Sequence, residues 1–290
     1  MRAELAVRRA ARKRVDAFFR AVFLVAIAVA ILVLLILLVN IFSQGIKWIR
    51  PEFFTSYASR FYQKAGILAP LVGSFYVILL TAAFALPIGV ATAVYLEFYA
   101  RDSWLTRLLQ VNIANLAGVP SIVYGLFGLA FFVRYLAFDR SILSAALTMA
   151  LLILPVVIVN TREAIKAVPP SLAHAAYALG ASRWQVVSTV ILPAAVGGIL
   201  TGTILAVSRA LGETAPLITV GAWVFITSLP VSPMDSFTVL PIQIWYWSAQ
   251  PQQGFREIAA ATIIVLLVVL LTMNGVAIFL RNRFQKKAEW

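Results

Sequence analysis

The sequence predicts an all-α, polytopic membrane protein of about six transmembrane helices, and three observations predict it. Hydrophobic residues make up 62% of the chain and charged residues only 12%, against about a quarter charged in a soluble domain. Apolar runs long enough to cross about 30 Å of hydrocarbon recur along it. Lys and Arg gather at both ends, as an even number of spans with both termini on one side requires.

Residues 1–20 form a basic tail with seven Lys/Arg, expected to lie as an amphipathic helix on the membrane surface. Ala21–Val39 follows without a charge and is read as a retained first span. Ile41–Ala69 is aromatic (Trp48, Phe53, Phe54, Tyr57, Phe61, Tyr62), as suits an outer stretch at headgroup level. Leu71–Tyr95 is span two, kinked at Pro87. Glu97–Gln110 is a charged inner loop. Val111–Val133 is span three, whose Gly118, Ser121, Gly125 and Gly128 suit close helix contact. Ile142–Val159 is span four. Span five runs from about Ile191 to the region of Leu217. An outer stretch, Gly221–Gly254, carries Trp223, Trp245 and Trp247. Ala259–Leu280 is span six, and residues 281–290 are a second basic tail. Residues 21–280 thus form one membrane domain, with no internal repeat and no separate soluble domain.

With both termini inside, inner segments hold 16 Lys/Arg and outer ones 8, which favours a cytoplasmic N- and C-terminus. The net charge of +13 is then explained by anionic lipid at the cytoplasmic face rather than by nucleic acid.

Between spans four and five lies a polar island, residues 161–193, which holds the only His. Pro169 and Pro170 break it. Ser171 is the expected N-cap of a short helix, Leu172–Leu179. Gly180 closes that helix, because Gly takes the left-handed position without steric cost. Ala181–Val190 resumes helical spacing until Pro193. Small residues (Ala173, Ala175, Ala176, Ala178, Gly180, Ala181) are expected along one side, as in a helix pair that seats in a partner's socket. The plainer reading is a solvated loop.

The second feature is Ser208-Arg209-Ala210-Leu211-Gly212-Glu213-Thr214-Ala215-Pro216, late in an apolar stretch. A charge at mid-membrane costs about 2.5–3.5 kcal/mol on insertion scales. Arg209 and Glu213 are four apart, hence neighbours on one helical face. Pairing offsets that cost. Such a pair either locks helices together or lines a substrate path; at the interface it would mean little. Arg offers a planar, permanently charged fork to an oxyanion, and a nearby Glu competes for it.

Several chemistries are excluded. No GxxxxGK[ST] run is present, so the chain does not cradle ATP itself. One His and no Cys leave no His/Cys metal site, and no cofactor is implied. Gly197, Gly198 and Gly202 are read as helix contacts. The outer Trp residues are read as an interfacial belt or as a docking site for a binding protein.

These runs carry a resemblance. His174-Ala175-Ala176, three residues, Gly180, nine residues, then Val190-x-Leu192-Pro193 is similar in spacing to the EAA motif of ABC-importer permeases, with His174 in place of the leading Glu. In that family the loop is the coupling helix that fits a groove on a cytoplasmic ATPase, which points to His174, Ala175, Ala176, Leu179, Gly180 and Ala181. The RAxGETAP run, EAIKAVPPSL, NLAGVPSIVYGLFGLAFF and LPIQIWYW together resemble phosphate-importer permeases of the PstA type over about residues 112–247. The resemblance implies a type I (MetI-like) permease fold in a bacterial inner membrane. It also implies translocation roles for Arg209 and Glu213, flanked by Ser208 and Thr214. The implied partners are a second permease of the PstC type, two ATPase subunits and an extracytoplasmic phosphate-binding protein. Alternatives are a permease for another oxyanion such as molybdate or sulfate, an ion-driven secondary carrier, or an enzyme acting on lipid phosphates. The coupling-loop pattern and the shortage of intramembrane acids weigh against the carrier. The lack of an acid or His cluster weighs against the enzyme.

Overall fold

The computed structural model describes the backbone of residues 2–285 and the side chains of most residues between 16 and 283. The tail residues Lys286 and Lys287, and the basic side chains at positions 2–14, lie outside the described residues.

The first helix, α1, runs Arg2–Gly45 without interruption. The tail is therefore not a separate surface helix: no Pro or Gly occurs between Arg2 and Gln44, so nothing stops the helix before Gly45. The apolar part of α1 is exposed all round. It approaches the bundle at Gly45, which has no room for a Cβ against the backbone of Ala260 and Ala261.

The next stretch holds the short α2, Pro51–Thr55, before α3, Leu68–Val94, which ends in a π-helical turn, Tyr95–Tyr99. The aromatic stretch is only partly an interfacial belt. Phe53 is buried and joins Trp247 and Phe255 in a cluster that caps the bundle. Its neighbours supplied the apolar partners that a headgroup layer would not.

Span three departs most from expectation. It is two helices, α4, Trp104–Leu116, and α5, Ser121–Gly128, the latter continued by a π-helical segment to Tyr135. They meet at 104°. Pro120 lacks the N–H that would continue the helix and restricts Val119 to extended backbone. Gly118 therefore serves the bend, with only its own chain nearby, while Gly125 and Gly128 do meet other helices.

Span four is α6, Ile142–Lys166, started by Ser141, whose hydroxyl accepts from Ser144 N–H. It is the central helix: Ile142, Met149, Ile153 and Val157 are almost wholly enclosed. Apolar surface gains little by leaving lipid for protein, so close packing must hold such a helix in place. Small residues supply it. Gly89 of α3 lies against Val157, and Gly128 lies against Thr148.

The island begins with α7, Pro170–Ala178, and a one-turn α8, Arg183–Gln185. A π-helical segment, Val186–Ile191, leads straight into α9, Leu192–Gly212. Pro193 does not end the helix, because the wider π turn just before it accommodates a residue with no N–H to give. The chain then forms α10, Ala215–Val220, a loop, α11, Leu240–Ser248, and α12, Gln253–Gln285.

Among the described residues, five helical stretches are long and apolar enough to cross a membrane (Asp16–Trp48, Leu68–Tyr99, Ile142–Lys166, Arg183–Gly212 and Gln253–Arg283), and the bent α4–α5 pair makes a sixth. The all-α class and the six spans hold. Span five starts earlier than Ile191 and breaks before Leu217.

Candidate functional site

The depth of Arg209 follows from helix register. Gly198 has no room for a Cβ against Ala164, and Gly202 none against Asn160. Four residues forward on α9 thus match four back on α6. Seven more in each direction bring Arg209 level with Ile153, near the middle of the 25-residue α6. The register with α12 agrees: Arg281 Nη1 donates to Thr201 at 3.2 Å, and Asn274 meets Ser208, seven residues on along each helix.

At that level α9 stops. Glu213 is extended (φ −76°, ψ 130°), and Thr214 starts α10. Arg209 and Glu213 therefore do not share a helical face; the pair forms across the helix end, with Arg209 Nε 3.3 Å from Glu213 Oε1. Only Nε is engaged: among the described residues the two Nη groups have no hydrogen-bond partner. The Arg209 side chain is 49% exposed and that of Glu213 is 20% exposed. Ser208 turns away, its hydroxyl bonded to Ile204 O and to Asn274. Thr214 is half-buried at the break.

The bend in span three comes to the same place. α10 packs on α5, where Gly125 has no room for a Cβ against Thr219 and Pro216. Tyr124, one residue earlier, lies within electrostatic reach of Arg209. Its hydroxyl donates to Leu116 O at 2.8 Å and so ties α5 back across the bend. Two interrupted spans thus meet half-way along α6, at the one arginine set there. Interrupted helices at membrane depth are tolerated where they line a cavity or are buried in protein. Tyr124 and Asn274 were absent from the sequence-derived set. A polar residue in the apolar run LLTMNGVAIF marks Asn274; nothing in the sequence singles out Tyr124.

At the other candidate site, the N-cap of α7 is Pro169 rather than Ser171, with Pro170 at the first helical position, where its missing N–H costs nothing. Gly180 has φ 83°, as a left-handed helix end requires. Ser182 then caps the next turn: its hydroxyl accepts from Gln185 N–H, and Gln185 Oε1 accepts from Ser182 N–H at 2.8 Å, a complete capping box. The small residues do not share one outward side. Ala173, Ala176 and Ala181 pack inward onto Val186 and Val187, both fully buried. His174, Ala175 and Gly180 face outward with Leu179, which is 89% exposed. The Trp residues divide likewise: Trp247 is buried, while Trp223 and Trp245 are exposed.

The comparisons agree with this architecture. The chain is 33% identical over 267 residues to a probable ABC transporter permease protein, YqgI, of Bacillus subtilis, covering 87% of this chain and 91% of that one. It is 34% identical over 256 residues to the phosphate transport system permease protein PstA of Pasteurella multocida, covering 87% and 88%. The fold matches a bacterial alginate ABC transporter crystallised with a pentasaccharide-bound periplasmic protein, with TM-score 0.70 and 15% identity over 93% of this chain and 96% of that one. Residues 85–288 match the family model described as "binding-protein-dependent transport system inner membrane component", and the chain belongs to that family.

Proposed function

We propose that this chain is one permease subunit of an ATP-driven importer of inorganic phosphate. It forms half of the pathway beside a second, PstC-type permease, and two ATPase subunits and an extracytoplasmic phosphate-binding protein complete the machine. Both termini and α7 face the cytoplasm, as the two-to-one Lys/Arg bias favours. Residues 21–280 form the permease domain. Relatives about a third identical carry the phosphate permease name, which supports phosphate as the cargo.

The observation that carries the reading is the Arg209–Glu213 pair at the mid-depth interruption of α9. A half-exposed pair of this kind is worth about 0–1 kcal/mol, too little to block an arriving anion. Nε stays on Glu213 while both Nη groups are open, and an oxyanion takes that edge. Glu213 then competes for the guanidinium and keeps the anion from being trapped. Thr214 flanks the path at the break, while Ser208, turned toward Asn274, supports the last turn of α9 instead of lining the path. Outward-facing His174, Ala175, Leu179 and Gly180 seat in the ATPase, and Ala176 and Ala181 transmit the motion through Val186 and Val187 to α9.

The test is phosphate uptake into proteoliposomes holding the assembled complex, with ATP inside and binding protein outside. Uptake should need ATP, fall at least tenfold in Arg209→Ala, and vanish in Gly180→Pro with the complex intact. Near wild-type rates for Arg209→Ala, Glu213→Ala and the double variant would remove the pathway role. Uptake driven by an ion gradient without ATP would replace the whole reading with a secondary carrier. Competition by molybdate or sulfate stronger than by phosphate would reassign the cargo.

A further inference from the structure

Between the second half of α3 and the start of span five lies an open, almost wholly apolar groove of about 590 Å³. Its upper end is at Leu86 and Pro87. Because α3 runs parallel to α6 and Gly89 abuts Val157, Leu86 is level with Leu154, the middle of α6. Its lower end lies between Tyr95, Tyr99 and Trp184. From Leu86 to Tyr95 is about 14 Å of helix, half of a hydrocarbon core of about 30 Å. The groove is therefore one leaflet deep.

The lower end has the chemistry of a headgroup layer. Tyr95 and Trp184 are both more than half exposed, and Tyr and Trp rings favour that layer. Arg101 follows Tyr99 by two residues and Arg183 precedes Trp184, and both are exposed. Among the described residues neither meets a carboxylate. Glu97, between the two tyrosines, is held by Arg162, and Asp102, next to Arg101, is held by Arg107, so neither of these carboxylates is free to offset the two arginines.

We propose that the groove holds an acyl chain of an anionic phospholipid from the leaflet at the α7 end, with Arg101 and Arg183 as the partners of its phosphate. A long apolar tail accounts for the Leu86–Val94 walls and a negative headgroup for the unpaired arginines. The lipid would touch span two and the root of span five together, at the level where α7 meets the bundle.

The test counts lipid. The complex containing the full chain is placed in nanodiscs of phosphatidylcholine with a minor share of phosphatidylglycerol, re-extracted in detergent, and its retained lipid measured by mass spectrometry. Wild type should retain phosphatidylglycerol selectively. Arg101→Gln/Arg183→Gln should retain it about 30-fold less, since each basic residue near an anionic surface contributes about a fivefold factor. Ala91→Trp, which fills the groove, should also lose it. Equal retention in wild type and the double variant would overturn the proposal, whether or not Ala91→Trp assembles. So would a cross-link from Ala91→Cys to another protein chain, which would make the groove an interface. The readout needs no transport, so its failure leaves the importer reading untouched.

Discussion

Arg162 donates its Nε–H to Glu97 Oε1 across 2.6 Å, and this bond joins the end of span two to the end of span four just above α7. Both side chains are largely enclosed, and Lys166 stands 4.0 Å from the same carboxylate while pairing with Glu163 at 3.4 Å. A charge-assisted bond so placed contributes about 1.5–3 kcal/mol. Arg162→Ala should lower the thermal midpoint of the complex, and Glu97→Ala should add little to it. A double-mutant cycle on thermal inactivation measures this; strictly additive losses would mean that the two side chains do not act as a unit.

The α6–α9 register predicts a second result. Gly202 has no space for a Cβ beside Asn160, whereas Gly275 of α12 has nothing within 4 Å. Overpacking costs about 1–3 kcal/mol, while Gly→Ala in an open helix position gains about 0.5–1 kcal/mol. Gly202→Ala should destabilise and Gly275→Ala should not, as read by the detergent-solubilised unfolding midpoint. The reverse order would break the register that sets Arg209 level with Ile153.

Most of the helix inventory was legible because span-length apolar runs have few alternatives in a bilayer. The turn at Gly180 was legible too, since a Gly after a short helix is a local signal. What was hidden was longer in range. The sequence GVP at 118–120 reads as a kink or as a full break, and contact between α5 and α10, through Gly125, accompanies the break. The end of α9 at Gly212 was invisible because an i,i+4 Arg–Glu pair fits a continuing helix equally well. The inward turn of Ala173 and Ala176 needed the buried Val186–Val187 root, which lies on the next helical segment. Tyr124 is an ordinary aromatic in an apolar run until the fold sets it near Arg209.

The loop between α10 and α11 should respond to acid. Asp235 accepts from the backbone N–H of Val231 at 2.7 Å and of Ser232 at 2.8 Å, and these bonds hold its carboxyl below the usual 3.8. Its backbone oxygen accepts from Ile142 N–H, which ties the loop to the start of α6. A depressed carboxylate stabilises the fold above its unfolded pKa, and that contribution is lost as pH falls through the folded value. Protection of the amides in residues 231–235, taken relative to the intrinsic exchange rate at each pH, should therefore be high at neutral pH and fall below about pH 4. Asp235→Asn should exchange fast throughout. A wild-type loop equally protected well below pH 3 would show that the carboxylate does not hold it.

Asn274 should govern how Arg209 is presented. Ser208 has one hydroxyl proton, which it gives either to Ile204 O at 2.7 Å or, between helices, to Asn274 Oδ1. The bond to Asn274 fixes the rotation of the last turn of α9, and with it the direction of the neighbouring Arg209. Interhelical hydrogen bonds in membranes average about 0.6 kcal/mol, so Asn274→Leu should cost little stability. Its effect should fall on transport instead. The apparent phosphate affinity should weaken about threefold or more, and adding Ser208→Ala should change it no further. Asn274→Gln should recover part of the loss. If Asn274→Leu lowered complex yield and uptake in proportion, with phosphate affinity unchanged, the residue would be packing α12 rather than aiming Arg209.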